Sequence, residues 1–156
     1  MITALPGIGR DDIETTRRSL WRYSAALPVQ VKMPISLGEG VTPLVELVWR
    51  DARPHFKLEW FAPTGSFKDR GMTYAVSQAV KEGHTHIICA STGNTSAAAA
   101  AYGARAGLKT LIILPGGKVA LGKLSQAILY GASIVEIDGN FDEALRGIAA
   151  RPGAPR

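Results

Sequence analysis

The chain has one cysteine, Cys89, so an intrachain disulfide is excluded. Its three histidines are scattered and offer no metal-ligand spacing. No apolar run reaches the about 18 residues that a membrane-spanning helix needs. The first residues lack the basic-then-apolar layout of a secretory signal and carry Asp11, Asp12 and Glu14 instead. No Gly-x-Gly-x-x-Gly word follows a strand-like run, which argues against a dinucleotide-binding fold. A cytoplasmic protein without metal or membrane business is the expectation.

What is present is ordinary for a globular domain. The 156 residues are 46% hydrophobic and 20% charged. The net charge of +5 could hint at nucleic acid, but the basic residues are spread along the chain and form no basic face. Acidic small molecules or a solvated surface account for it as well, and no nucleic-acid partner is expected.

The pattern changes along the chain. Asp11–Leu27 reads as a helix closed by Pro28, with Ile13, Leu20 and Trp21 roughly on one face. A turn-rich stretch, Leu37–Leu44, leads to two short β-like runs, Leu44–Trp49 and Phe56–Trp60. From Lys68 the alternation is regular. Met72, Ala75, Val76, Ala79 and Val80 stripe a helix that Gly83 ends. Ile87–Ala90 reads as a strand, Thr95–Ala106 as a helix, Thr110–Leu114 as a strand. A helix striped by Leu121, Leu124, Ala127 and Ile128 follows, then the strand Ser133–Ile137 and a last helix, Phe141–Ala150. Strands buried on both faces and separated by helices indicate a parallel α/β sheet, doubly wound or three-layered, with right-handed crossovers. The last six residues have the composition of a disordered tail.

Two polar loops carry the chemistry. The first is Pro63-Thr64-Gly65-Ser66-Phe67-Lys68-Asp69-Arg70-Gly71. An amine attacks an aldehyde only when neutral, and a lysine with its usual pKa of about 10.4 is almost wholly charged at neutral pH. Partial burial or a neighbouring cation favours the neutral form, and Phe67 and Arg70 stand beside Lys68 to offer these. The bland alternative is a solvated lysine. The second loop is Ser91-Thr92-Gly93-Asn94-Thr95-Ser96, after a strand and before a helix, where open backbone N–H groups favour a carboxylate. Here the alternative is helix capping by Asn94 or Thr95 with no ligand at all.

Together these words resemble those of the fold-type II pyridoxal-phosphate (PLP) enzymes, and most closely the threonine synthases. Leu20-Trp21-Arg22-Tyr23, Ala26-Leu27-Pro28 and Leu37-Gly38-Glu39-Gly40-Val41-Thr42-Pro43-Leu44 are similar to the opening of that family. Gly117–Leu124 and Gly139–Leu145 are similar to later blocks. The resemblance implies that Lys68 carries PLP as a Schiff base and moves protons. It implies that Asn94 bonds the cofactor's 3′-oxygen and that Ser91, Thr92 and Thr95 hold the substrate carboxylate. The implied reaction turns O-phosphohomoserine and water into threonine and phosphate, in a cytoplasmic protein that is often a homodimer. Threonine dehydratase-like or cysteine synthase-like chemistry, or a remnant of the fold without turnover, are the other readings.

The same resemblance implies a longer chain. The family's later parts hold the PLP phosphate and contact the substrate phosphate, so a truncated or frameshifted gene, or an incomplete gene model, is expected. The implied division is 1–70 as an incomplete part of a large domain, 71–150 as a small α/β domain, and 151–156 as a tail. The N-terminal third, short of neighbours, is expected to be the less stable part.

Overall fold

The computed structural model describes residues 7–28, 30–115 and 121–138. The expected last helix, the tail and the block Gly139–Leu145 lie outside the described residues, as do residues 116–120.

Two sheets organise the chain. Strands β1 (Leu44–Glu46) and β2 (His55–Lys57) form an antiparallel pair in which Val45 faces Phe56. They are shorter than the sequence suggests, although Trp49 and Ala52 add an isolated bridge beyond them. All six strand residues are exposed, and Leu44, Val48, Trp49, Trp60 and Phe61 around them are each more than half exposed.

The second sheet is parallel, in the order β3-β4-β5, from His86–Ala90, Lys109–Pro115 and Ser133–Ile137. Helix α2 (Asn94–Ala106) connects β3 to β4, and α3 (Leu121–Leu129) connects β4 to β5. Helix α1 (Lys68–Lys81) precedes them and packs along α2. Ala99 and Ala100 of α2 meet Ile112 and Leu114 of β4 and Ala127 of α3 in the core, with Leu124 and Ile134 around them. Burying Ile112 and Leu114 fully contributes on the order of 2 kcal/mol each. On the opposite face Ile88 and Val135 stay about half exposed, at 48% and 42%.

The alanine run explains why α2 is the central helix. Ala97 to Ala101 are all buried, and their small side chains allow close approach on every side. At Gly103 the approach is closest: a Cβ there would stand 2.1 Å from Thr110 Oγ1. Gly107 ends the helix in the left-handed region at φ +70°, a conformation that costs glycine little.

The first segment departs from expectation. Asp11–Leu27 is not one helix but two 3₁₀ pieces, Arg10–Asp12 and Leu20–Ala26. Ser19, between them, is extended (φ −146°, ψ 178°), and its hydroxyl accepts a bond from the Trp21 N–H. A Cβ on Gly40 would stand only 3.1 Å from the backbone of Ser19 and Leu20, so a neighbouring turn presses against the chain at this point. Tertiary contact therefore overrides a weak helical pattern.

Candidate active site

The lysine loop is built tightly. Gly65 turns at φ +78°, and its N–H donates 2.8 Å to the Ala62 carbonyl. Lys68 opens α1; its N–H donates to Ser66 Oγ at 3.3 Å. Its ammonium lies 4.8 Å from the centre of the Phe67 ring, over the face, and the residue is half-buried. Phe67 itself is 56% exposed, so it does not seal the amine from water.

Arg70 does something other than the sequence suggests. Its guanidinium grips Glu59 with two parallel bonds of 2.8 and 2.9 Å and reaches Thr42 Oγ1 at 3.1 Å. Thr42 in turn donates 2.7 Å to Glu59, while the Lys57 ammonium bonds the Thr42 carbonyl. The bonds from Arg70 hold the Glu59 carboxyl down to about 2, against the opposing effect of burial. The Arg70 charge is thus matched by a carboxylate, and its role is to fasten α1 to the β1–β2 region.

Asp69 has no exposure. It accepts both the N–H of Thr64 (2.8 Å) and its hydroxyl (2.5 Å). Burial pushes its carboxyl up, and the Thr64 bonds act against that rise. Glu39, also fully buried, accepts from Ser36, from the Leu37 N–H and from the Tyr102 hydroxyl at 2.9 Å. Burial and the Glu39 charge push the Tyr102 phenol strongly up, so it stays a donor. Neither buried acid was singled out from the sequence. Asp69 sits inside the lysine word, and that position was the available signal; Glu39 offered only its place between two glycines.

The second loop answers the capping question. The residue that caps α2 is Gly93, at φ −132° and ψ −143°, without a side-chain cap bond. Its carbonyl accepts the Ser96 hydroxyl at 2.6 Å, and its N–H donates to Ser91 Oγ at 3.3 Å. Asn94 and Thr95 therefore lie inside the helix and do not cap it. Among the described residues the Thr92 and Thr95 hydroxyls, the Asn94 amide and the Lys68 ammonium have no hydrogen-bond partner. In the first turn of α2 the Ser96 N–H donates to the Gly93 carbonyl at 3.1 Å, while the N–H groups of Asn94 and Thr95, the first two of the helix, have no intrahelical acceptor.

Of the residues singled out in the two loops, Thr95 lines a cavity, and Lys68 and Asn94 do not. This cavity, of about 380 Å³, lies between α1, β3 and α2, lined by Met72 and Ala75 of α1, Ile88 and Ala90 of β3, and Thr95 and Ala99 of α2. Cys89 also lines it, and burial pushes that thiol up to about 11. A thiol in that state is a poor nucleophile near neutral pH.

Residues 35–154 match the family model of the pyridoxal-phosphate dependent enzymes. The chain belongs to that family. Among curated proteins it is 56% identical over 135 residues to threonine synthase of Halalkalibacterium halodurans, covering 83% of this chain and 38% of that protein. It is 54% identical to threonine synthase of Synechocystis, covering 79% of this chain and 34% of that one. The chain thus spans less than two-fifths of these relatives. Among solved structures it is similar to a hydrogen sulfide-producing enzyme of Fusobacterium nucleatum (TM-score 0.62, 29% identity, 70% of this chain and 40% of that one). It is equally similar in fold to an O-acetylserine dependent cystathionine beta-synthase of Helicobacter pylori (TM-score 0.62, 26% identity, 72% and 42%).

The family's cofactor is pyridoxal phosphate, and the donors found here suit it. The pair of loops offers an amine for its aldehyde, an amide for its ring substituents, and hydroxyls beside open N–H groups for a carboxylate.

Proposed function

We propose that this chain carries part of the active site of a threonine synthase, which converts O-phosphohomoserine and water into threonine and phosphate. The observation that carries the reading is the pair of half-open loops at the starts of α1 and α2, each holding polar groups without a hydrogen-bond partner among the described residues. The identity of 54–56% to threonine synthases supports it.

Each residue has a part. Lys68 would hold the cofactor through its side-chain nitrogen, as the neutral amine, and when released would move the proton at the substrate α-carbon. Asn94 would donate from its amide to the cofactor's ring oxygen. Ser91, Thr92 and Thr95, with the first N–H groups of α2, hold the substrate carboxylate, whose charge the positive end of the helix favours. Bound at this site, PLP supplies the electron sink for chemistry at the substrate's α-carbon. Gly65 and Ser66 keep the lysine backbone in place. No helix among the described residues is long and apolar enough to cross a membrane. A cytoplasmic enzyme on a small-molecule substrate, assembled as a homodimer, completes the reading. A cysteine synthase-like reaction is the second reading, favoured by the solved neighbours named above.

The test is covalent labelling. Purified chain is mixed with PLP, reduced with borohydride, and the modified lysine located by mass spectrometry. Selective label at Lys68, absent from Lys68→Ala, is the expected result, and label spread evenly over surface lysines would sink the reading. Slowing of the label by O-phosphohomoserine supports threonine synthase; slowing by O-acetylserine alone moves the assignment to the second reading.

A further inference from the structure

Thr64 is held at every polar group it owns. Its N–H and hydroxyl both go to Asp69, at 2.8 and 2.5 Å. Its carbonyl accepts from two side chains of α3, the Lys123 ammonium at 3.3 Å and the Gln126 amide at 3.4 Å. Lys123 also donates 3.4 Å to Gln126 Oε1, so the two α3 side chains brace each other. Thr64 is 3% exposed and Asp69 0%. A carboxylate therefore sits at the donor side of one residue and an ammonium at its acceptor side, both aligned with its dipoles.

The location matters because Thr64 begins the turn that delivers Lys68. The Lys123 ammonium also lies 3.9 Å from where a Gly65 Cβ would be, so it closes over the same turn. Helix α3 packs its apolar residues Leu124 and Ala127 on the core and turns Lys123 and Gln126 to the Thr64 carbonyl.

We propose that Lys123 and Gln126 are positioning residues for Lys68, fixing the lysine loop through the Thr64 carbonyl while Asp69 fixes it from the other side. The inference rests on the reading of Lys68 as the cofactor-bearing amine. An amine that lets go of its cofactor and returns to it needs a loop that does not move in the interval. The clamp supplies that from a helix outside both active-site loops.

The experiment compares the full chain with Lys123→Met, Lys123→Arg and Gln126→Leu. The first readout is hydrogen exchange without PLP, over peptides covering the lysine loop and β4. Lys123→Met is expected to speed exchange at Thr64 and Gly65 by about tenfold, the effect of losing one charge-assisted bond. Gln126→Leu should give a smaller rise, and β4 should be unchanged in all. Lys123→Arg, which keeps the charge, should restore slow exchange. The second readout is the rate of PLP–borohydride label at Lys68, expected to fall about tenfold in Lys123→Met and recover in Lys123→Arg. Unchanged loop exchange in Lys123→Met, or no recovery with arginine while β4 stays protected, would overturn the clamp. If Lys123→Met also loosens β4, Gln126→Leu decides: no change confined to the loop overturns it. Unselective label in the unsubstituted chain would instead overturn the role of Lys68, and loop exchange would still decide the clamp.

Discussion

Trp21 Nε1 donates to Thr73 Oγ1 at 2.8 Å, and the same hydroxyl donates onward to the Ile35 carbonyl at 2.6 Å. One buried hydroxyl thus joins the first segment, the loop before β1 and the middle of α1. Trp21 is 1% exposed and stacks on Tyr74 with 15° between the rings. One turn further along α1, Ser77 accepts the Ile35 N–H at 2.8 Å, so α1 holds both polar groups of that peptide residue.

Thr73→Val keeps the shape and removes the hydroxyl, leaving a buried indole N–H and a carbonyl unpaired. We expect a loss of about 2 kcal/mol, read as a lower urea midpoint with unchanged slope. Thr73→Ser, which keeps the hydroxyl, should lose clearly less. Equal losses in the two variants would show that the methyl group, not the hydroxyl, matters.

Glu59 makes acid stability testable. Its folded carboxyl is held near 2, below an ordinary value of 4.5. The ion pair with Arg70 therefore contributes fully above about pH 4.5 and is lost as pH falls towards 2. Asp69 acts with the opposite sign, because burial raises its carboxyl and protonation relieves the folded state. Glu59→Gln should cost about 1–2 kcal/mol at neutral pH and flatten the fall in stability over the acid window. A parallel fall in both proteins, followed by thermal melting across pH, would remove Glu59 from the account.

Much of the fold was legible because α1, α2 and the three parallel strands have strong local patterns. Gly107 stops α2 and the run Thr110–Leu114 lies within β4. The stripe expected on α1 holds only in part, since Val76 is buried with Asp69, Thr73 and Ser77, whereas Ala75 and Val80 are exposed. The first segment was misread because its shape comes from contacts with Gly40, Trp21 and Thr73 that no local pattern records. Lys68 and Asn94 stood out by type and setting. Arg70 was assigned to the wrong neighbour, since Glu59 lies eleven residues away and is reached only in three dimensions. Lys123 and Gln126 could not be found at all: each looks like an ordinary polar residue on a helix face until α3 is laid against the Thr64 carbonyl.

Gly103→Ala should be destabilising although alanine favours helices by about 1 kcal/mol over glycine. The added Cβ would meet Thr110 Oγ1 at 2.1 Å and Ile87 Cδ1 at 2.9 Å. An overpacking cost of about 1–3 kcal/mol is expected. Thr110 Oγ1 is buried without a partner among the described residues, so Thr110→Ala should be nearly neutral alone and should recover part of the loss in the double variant. Strict additivity of the two losses in denaturant melts would place the strain elsewhere.

The neighbour-to-neighbour order β3-β4-β5 has a kinetic consequence. Each pairing there closes a short loop, whereas the first segment reaches Thr73 from Trp21 across 52 residues, and Glu39 in the turn before β1 reaches Tyr102 across 63. Because loop closure must precede the contacts that reward it, the parallel unit should form first and the leading segment dock on it afterwards. In refolding followed by pulsed deuterium labelling, the amides of β4 gain protection ahead of those around Trp21; simultaneous protection would mean that the chain assembles in one step. The order would leave the Trp21–Thr73 contact among the last to form, so loosening it would quicken unfolding far more than it slowed folding.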